Sequence, residues 1–315
     1  MIFSYEDFDL KHVKTYPLKT RRGKASVDAF ATPYQKGSGV KTFIDSLPDI
    51  LAASDFKSVV QTLLDVRRAK RGILWGLGAH VIKTGLSPVL IDLMERGFVS
   101  AIATNGAGTI HDIEEALAGT TSEEDDKALG VGQFGMSEET GRLLNSAIND
   151  GVAEGLGVGQ AVGKFIAELP PQYEHLSNDA AAHRLGIPLT VHIAVGTDVI
   201  HMHPSASGAS LGEGSFKDFR YMVSNVSKLD HGVYLNCGSA VVLPEVFLKA
   251  VALIRNRGNL LERLTTVNLD FVRGYRPLTN VVVRPTAEGG HGYAITGHHE
   301  LMIPLLAAAL IDSES

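Results

Sequence analysis

The chain has 315 residues, 44% apolar, 20% charged and 7% aromatic, with 33 glycines and 12 prolines, a composition that excludes disorder and collagen-like repeats. The formal net charge is −6, and the one local basic cluster, Lys19, Arg21, Arg22 and Lys24, reads as a solvated turn or strand edge, so a nucleic-acid footprint is not expected. A single cysteine, Cys237, rules out an internal disulfide or a multi-cysteine zinc site and fits a reducing compartment.

The first residues, MIFSYEDFDLKHVK, carry acids and a lysine where a signal peptide needs an unbroken apolar run. No stretch approaches the roughly 18 apolar residues of a membrane span, so a cytoplasmic chain that does not cross a membrane is expected. Residues 1–40 read as an N-terminal extension and 41–315 as one α/β domain.

Beyond the extension, short apolar runs rich in β-branched residues alternate with longer helical patterns, which predicts a doubly wound, mostly parallel sheet. A strand over 72–76 leads through the loop Leu77-Gly78-Ala79-His80 into a helix over 83–96, whose Leu86, Val89, Leu90 and Leu93 follow the helical period and which Gly97 closes. A second unit repeats the form: a strand over 99–103, the small-residue turn Thr104-Asn105-Gly106-Ala107-Gly108, and a helix over 110–117. The polar stretch 120–127, with four consecutive acids at 123–126, predicts an exposed loop.

From 137 to 169 the pattern is helical but interrupted by glycines. The run GLGVGQAVG superficially resembles a dinucleotide motif, yet it neither follows a buried strand nor opens a helix, and it reads as close-packed or kinked helix. Further strands are expected over 189–194, 232–235, 264–268, 281–283 and 293–295. Helices are expected over 216–229, 244–256, with Pro244 in its first turn, and 300–311.

Ligands of open α/β sheets bind beyond the carboxyl ends of the strands, where helix N-termini offer free N–H groups. The residues at those ends are Gly78, Ala79 and His80; Thr104, Asn105, Gly106, Gly108, His111 and Asp112; Thr197, Asp198, His201 and His203; Asn236, Gly238 and Ser239; and Gly297, His298, His299 and Glu300. The small residues admit a cofactor to the backbone. The histidines and acids can carry protons, or Asp198, His201 and His203 with one more histidine could hold a metal, although no tight motif such as H-E-x-x-H is present and no metal is expected. Cys237, Ser87 and Ser239 lack a nucleophile context.

At these same segments the chain resembles deoxyhypusine synthase and its relative homospermidine synthase. The stretches that carry the resemblance are WGLGAHVIKTGLSPVLIDLMERGFVSAIATNGAGTIHDIEEAL at 75–117, RLGIPLTVHIAVGTDVIHMHP at 184–204, GVYLNCGSAVVLPEVFLKAV at 232–251 and GHHELMIPLLAAAL at 297–310. The resemblance implies a Rossmann-like sheet in a homotetramer, with NAD in a deep site near a subunit interface. It also implies transfer of a butylamine fragment from spermidine through an imine on an active-site lysine. Carried over by position, the cofactor contacts fall on the turns 78–84, 104–108 and 238–239, thus on Gly78, Ala79, His80, Thr84, Thr104, Asn105, Gly106, Gly108, Gly238 and Ser239. Asp198 matches a polyamine-binding aspartate.

Three departures qualify the resemblance. No lysine follows Lys249, and the family lysine's counterpart falls near Arg284 or Pro285, or near Tyr293 with a different gap; arginine cannot lose its proton to form an imine. The acidic pair after the second glycine turn reads Ile110 and His111, and the aspartate of the closing turn is replaced by His298. The expectation is therefore an NAD-binding enzyme that oxidises a small molecule, or transfers a group from it, outside true deoxyhypusine synthesis. His111 or His201 would be the general base, Asp198 the substrate ligand or orienter and His298 beside the cofactor. A metal-dependent hydrolase or lyase, and a non-catalytic nucleotide-binding scaffold, are the alternatives.

Overall fold

The computed structural model describes residues 5–123, 125–170 and 172–314, and of 125–127 the backbone alone. Apart from Glu123, the acids of the 123–126 run therefore lie outside the described side chains. Residues 5–39 carry little regular structure and are almost wholly exposed.

Six strands form one parallel sheet: β1 (Ile73–Leu77), β2 (Ala101–Asn105), β3 (Leu189–His192), β4 (Val233–Cys237), β5 (Thr265–Asp270) and β6 (His291–Thr296). Their spatial order is β3-β2-β1-β4-β5-β6, and every neighbouring pair is parallel. This is the doubly wound Rossmann order, in which the chain winds outward to one side from β1 and then to the other from β4.

The central strands are continuous apolar runs because both of their faces are covered. Ile73, Trp75 and Leu77 point into one core, and Leu74 into the other with Tyr234 of β4. The first core is closed by α2 (Leu51–Arg68), α4 (Ser87–Glu95), α5 (Gly106–Ala118), α7 (Glu138–Ala153), α8 (Val158–Ala167), α9 (Asn178–Leu185) and α13 (His299–Asp312), with α1 (Val40–Ser46) packed outside α13. The second is closed by α10 (Gly208–Val226) and α11 (Val242–Asn256), where Tyr234 stacks on Phe247 with ring centroids 3.8 Å apart. Trp75 is fully buried and places its indole N–H on the Phe98 carbonyl at 3.0 Å, so the largest core side chain leaves no donor unmet.

Five segments differ from the sequence-based expectation. The helix read over 83–96 is two: α3 (Ala79–Lys83) stops where Thr84 returns its hydroxyl to the His80 carbonyl and Gly85 turns at φ +78°, and α4 restarts with Pro88 in its first turn. The turn at 104–108 shrinks to a direct handover, since Asn105 ends β2 and its side chain caps α5 by accepting the Gly108 N–H at 3.0 Å.

The glycine-rich stretch is neither one helix nor a phosphate loop. It breaks between α7 and α8 at Gly155 and Gly157, and Gly159 lets α8 rest on β3, where a methyl group would lie 2.1 Å from the Leu189 carbonyl oxygen. The strand expected over 281–283 is instead the end of a wide helical turn, Leu278–Val283, that follows α12 (Tyr275–Pro277). β5 and β6 are parallel neighbours and need a crossover between them, and this segment supplies it. The short helix α6 (Asp125–Gly130) lies within the stretch expected to be loop.

Several carboxyls are held inside this scaffold. Asp112 of α5 accepts from Ser177 Oγ, from the Asn178 N–H at 2.7 Å and from the Asp179 N–H at 3.2 Å, which ties α9 to α5 by its N-terminus. Asp218 of α10 takes the Gly159 and Val191 N–H groups at 2.9 and 2.8 Å. Burial raises the pKa of both, raises Asp179 further, and brings Asp218 and the half-buried Glu115 up to about 7.

The folded chain thus keeps protons that the unfolded chain has released, and the associated stability is lost as the pH climbs through about 7. Above the ordinary imidazole value of 6.5, His192, which burial lowers to about 4, is neutral in both states and does not oppose the trend. The melting temperature is expected to fall between pH 6.5 and about 8, and Asp218→Asn to flatten that fall. Melting curves across this range are the check, and a midpoint that rises with pH would contradict it.

Candidate functional site

The carboxyl edge of the sheet brings the expected turns together in two neighbouring groups. At the centre, β1 and β4 end in turns that touch: the Gly78 N–H donates to the Cys237 carbonyl at 2.8 Å, and a methyl group on Gly78 would stand 2.2 Å from the Gly238 carbonyl oxygen. Gly238 takes φ +72°, and the buried ring of His299 fills the space where its side chain would go. Thr104 of β2 reaches back to the Leu77 carbonyl at 3.0 Å, and the Ser239 hydroxyl accepts the Leu243 N–H at 3.2 Å. Gly78, Thr104, Gly238 and Ser239 are thereby locked to one another, with Ala79, His80 and Thr84 following on α3 and its cap.

Toward β5 and β6 this group continues as an aromatic cluster. His80, Phe271 and His299 stand within 6 Å of each other by ring centroids, and His298 stacks on Phe271 at 5.6 Å with planes 9° apart. His298 is exposed at the start of α13, whereas His299 is buried with its Nε2 3.3 Å from the Leu269 carbonyl and 3.8 Å from Asp270 Oδ1. The sequence points to His298; its partners in the cluster, the buried His299 and the exposed Phe271, are brought to it only by the fold.

The second group surrounds a cavity of about 720 Å³ beyond β2 and β3, within the size range of small-molecule sites. Its walls include Ile110, Leu117, Phe134 and Val199, and its charged lining is Glu114, Glu123, Glu139 and Asp198. Neither lysine nor arginine is among the described lining residues, so the hollow is anionic and suits a cationic guest with an aliphatic body.

α5 projects His111 and Glu114, one turn apart, into this cavity. His111 Nδ1 lies 2.7 Å from Thr121 Oγ1, which lies 2.5 Å from Glu114 Oε2; Thr140 Oγ1 holds the other Glu114 oxygen at 3.1 Å. Burial lowers the His111 pKa against the opposing pull of Glu114, and Lys83 adds to the lowering, which keeps the imidazole neutral at pH 7. Glu114, Thr121 and Thr140 belong to no recognisable motif, and only the fold brings them to His111.

Asp198 and His201 form a reciprocal cap on the short helical turn Val199–Met202. His201 Nδ1 accepts the N–H groups of Gly196 and Asp198 at 3.1 and 3.2 Å, so its hydrogen sits on Nε2 and neither ring nitrogen is free to take a proton. Of the two candidate bases, this geometry leaves His111. Asp198 is almost buried beside Gly106, and its Oδ2 has no hydrogen-bond partner among the described residues; desolvation raises its pKa and the neighbouring His201 opposes the rise.

His203 turns to Ser205 Oγ at 2.7 Å and Glu138 Oε2 at 3.3 Å, away from Asp198 and His201. Among the described residues no group of three or more His, Cys, Asp or Glu side chains is arranged to hold a metal ion. The positions that correspond to a family lysine do not line the cavity: Arg284 bonds Asn280 Oδ1 at 3.1 Å, Pro285 gives its carbonyl to Arg255 and Tyr293 lies within β6.

Residues 57–166 match the family model of the C-terminal Rossmann-fold domain of ArgZ-like arginine dihydrolases. No curated protein matches the sequence. Among solved structures, an LOR/SDH-type protein of Methanococcus maripaludis S2 is 17% identical with a TM-score of 0.54, over 85% of this chain and 72% of that one. AgrE, solved in a ternary complex with ornithine and NAD+, is 18% identical with a TM-score of 0.52, over 82% of this chain but 33% of AgrE. A protein assigned as a deoxyhypusine synthase from Entamoeba histolytica is 12% identical with a TM-score of 0.51, over 90% of this chain and 96% of that one. The likeness is one of fold, shared across three kinds of protein, and it does not single out deoxyhypusine synthase.

Gly106 is where the packing at the cavity can be tested most simply. A methyl group there would stand 2.1 Å from Asp198 Oδ2, whereas one on Gly208, at the open start of α10, meets nothing within 4 Å. Gly106→Ala is expected to cost about 1–3 kcal/mol in chemical denaturation, and Gly208→Ala less than about 1 kcal/mol in either direction. Equal effects would show that Asp198 does not rest on Gly106.

Proposed function

We propose that this chain is an NAD-binding enzyme that oxidises an amine-bearing small molecule, or oxidises it and passes a fragment on. What supports the reading most is one juxtaposition: the reversal of strand order between β1 and β4, with its touching glycine turns, lies beside an anionic cavity that holds a neutral histidine.

The residues present fit a dinucleotide. The turn at Gly78 and Ala79, the handover from Thr104 to Gly108 and the turn at Gly238 and Ser239 are small at the edge where phosphates meet backbone N–H groups, and Asp198 Oδ2 is an almost buried acceptor at the cavity wall with no hydrogen-bond partner among the described residues. His80 and His298, with Phe271, offer flat surfaces farther along the same edge. When bound, the cofactor supplies a hydride acceptor.

The chain's own groups then divide the remaining work. Asp198, Glu114, Glu123 and Glu139 draw the ammonium group of the substrate in, the apolar walls exclude water from its carbon chain, and His111 receives the proton that the amine must lose before its carbon can be oxidised. An imine on a lysine, as in the deoxyhypusine synthase scheme, is not part of this reading, because no lysine follows Lys249. Exposed Phe271, Val272 and Tyr275 beside the site support self-association, and a single buried thiol suits a cytoplasmic setting.

Titration calorimetry with NAD and NADH, followed by absorbance at 340 nm with a panel of aliphatic diamines and polyamines, tests the reading. The wild type is expected to bind the dinucleotide and to reduce it with at least one amine. His111→Gln should lower kcat by roughly 10²–10⁴-fold, the usual worth of a general base, while dinucleotide affinity stays the same. Absence of NAD and NADH binding at millimolar concentration would refute it.

A further inference from the structure

We propose that Thr121 is a positioning residue: its hydroxyl, tied to the Glu114 carboxylate, holds His111 as the Nδ1–H tautomer and turns an unprotonated Nε2 to the cavity. The inference rests on the functional reading above for what Nε2 meets there, but the tautomer itself follows from hydrogen counting.

A threonine hydroxyl has one hydrogen, and Thr121 Oγ1 makes two short contacts, 2.5 Å to Glu114 Oε2 and 2.7 Å to His111 Nδ1. An ionised carboxylate accepts and never donates, so the Thr121 hydrogen lies toward Glu114. At the other contact the hydroxyl oxygen must accept, and the hydrogen must come from the ring. The second Glu114 oxygen is engaged in the same sense, by Thr140 Oγ1 at 3.1 Å, which lies 3.0 Å from Ser137 Oγ. The carboxylate thus sets the direction of every bond in a chain that runs Ser137, Thr140, Glu114, Thr121, His111.

The intermediary is needed. His111 Nδ1 and Glu114 Oε2 are 4.0 Å apart, beyond hydrogen-bond distance, although both side chains leave α5 one turn apart. Among the described residues Nε2 has no hydrogen-bond partner, and His111 lines the cavity. His201, across the same end of the sheet, is fixed in the opposite form, with its hydrogen on Nε2 and Nδ1 taken by two backbone N–H groups.

The chemical consequence is selective. Nε2 can serve only a guest that offers a hydrogen, such as an ammonium or a hydroxyl group. In the transfer the guest's N–H or O–H bond breaks, an Nε2–H bond forms, and no electrons change hands. The imidazolium then keeps its Nδ1–H on a hydroxyl already committed to a carboxylate, a charge-assisted arrangement that steadies the positive ring.

The test is nitrogen NMR of the intact chain labelled with 15N-histidine, with His111→Gln used only to identify the resonance. At a pH where the ring is neutral, the wild type and Thr121→Ser, which retains the hydroxyl, are expected to show a pyrrole-type Nδ1 and a pyridine-type Nε2. Thr121→Val, close in volume and without a hydroxyl, should lose that preference, with the two nitrogens moving toward averaged shifts. A wild-type ring protonated on Nε2, or a Thr121→Val ring as strongly biased as the wild type, would overturn the assignment. The readout needs neither cofactor nor substrate, so a failure of NAD binding and a failure of the relay are seen separately.

Discussion

Everything at the carboxyl edge depends on how closely two turns approach at the middle of the sheet. Gly78 lies against the Gly238 carbonyl, and no side chain fits between them. That contact fixes the spacing of β1 and β4, the pair between which the winding direction reverses. Parallel strands force their crossovers to return over the faces, so the chain leaves every strand at the same edge and enters a helix or short helical turn soon afterwards. The candidate groups of α5, the Asp198 cap and α13 therefore share one edge, although Asp198 lies 87 residues beyond His111 and His298 a further 100 along the chain.

α5 shows how stability and chemistry share one element. Toward the cavity it carries His111 and Glu114; toward the interior it carries Asp112, which takes the N-terminus of α9, and Glu115, whose carboxyl faces Ser87 Oγ at 3.5 Å. The inward groups pin the helix on a network of hydrogen bonds, and the outward groups gain fixed geometry as a result. The cost is that burial raises the Asp112 carboxyl and brings the half-buried Glu115 up to about 7, which trades stability at higher pH for a rigid platform.

The parallel sheet was legible because its strands are unbroken apolar runs that end in small or polar residues, as at Trp75 to Gly78 and Val233 to Gly238. The edge residues were legible for the same reason, since a doubly wound sheet sends ligands to one end of its strands. The helix α2 carries Phe56, Val59, Val60, Leu63 and Leu64 at helical spacing and could have been found by periodicity alone. The segment 278–283 misled because Val281, Val282 and Val283 look like a strand, while the need for a crossover into β6 is a property of the sheet as a whole. Local pattern also could not rank His111 over His201. That distinction lies in which ring nitrogen accepts from the backbone and in two threonines, Thr121 and Thr140, drawn in from outside α5.

In the proposed function a dinucleotide lies across the β1–β4 junction and reaches the acidic cavity beyond β2. Hydrogen–deuterium exchange of the intact chain, with and without saturating NAD, tests the location directly. The account predicts slowed exchange in peptides that contain residues 78–84, 104–108 and 238–240, with weaker protection around 197–201. Unchanged exchange in those turns, or protection confined to the opposite edge of the sheet, would contradict it.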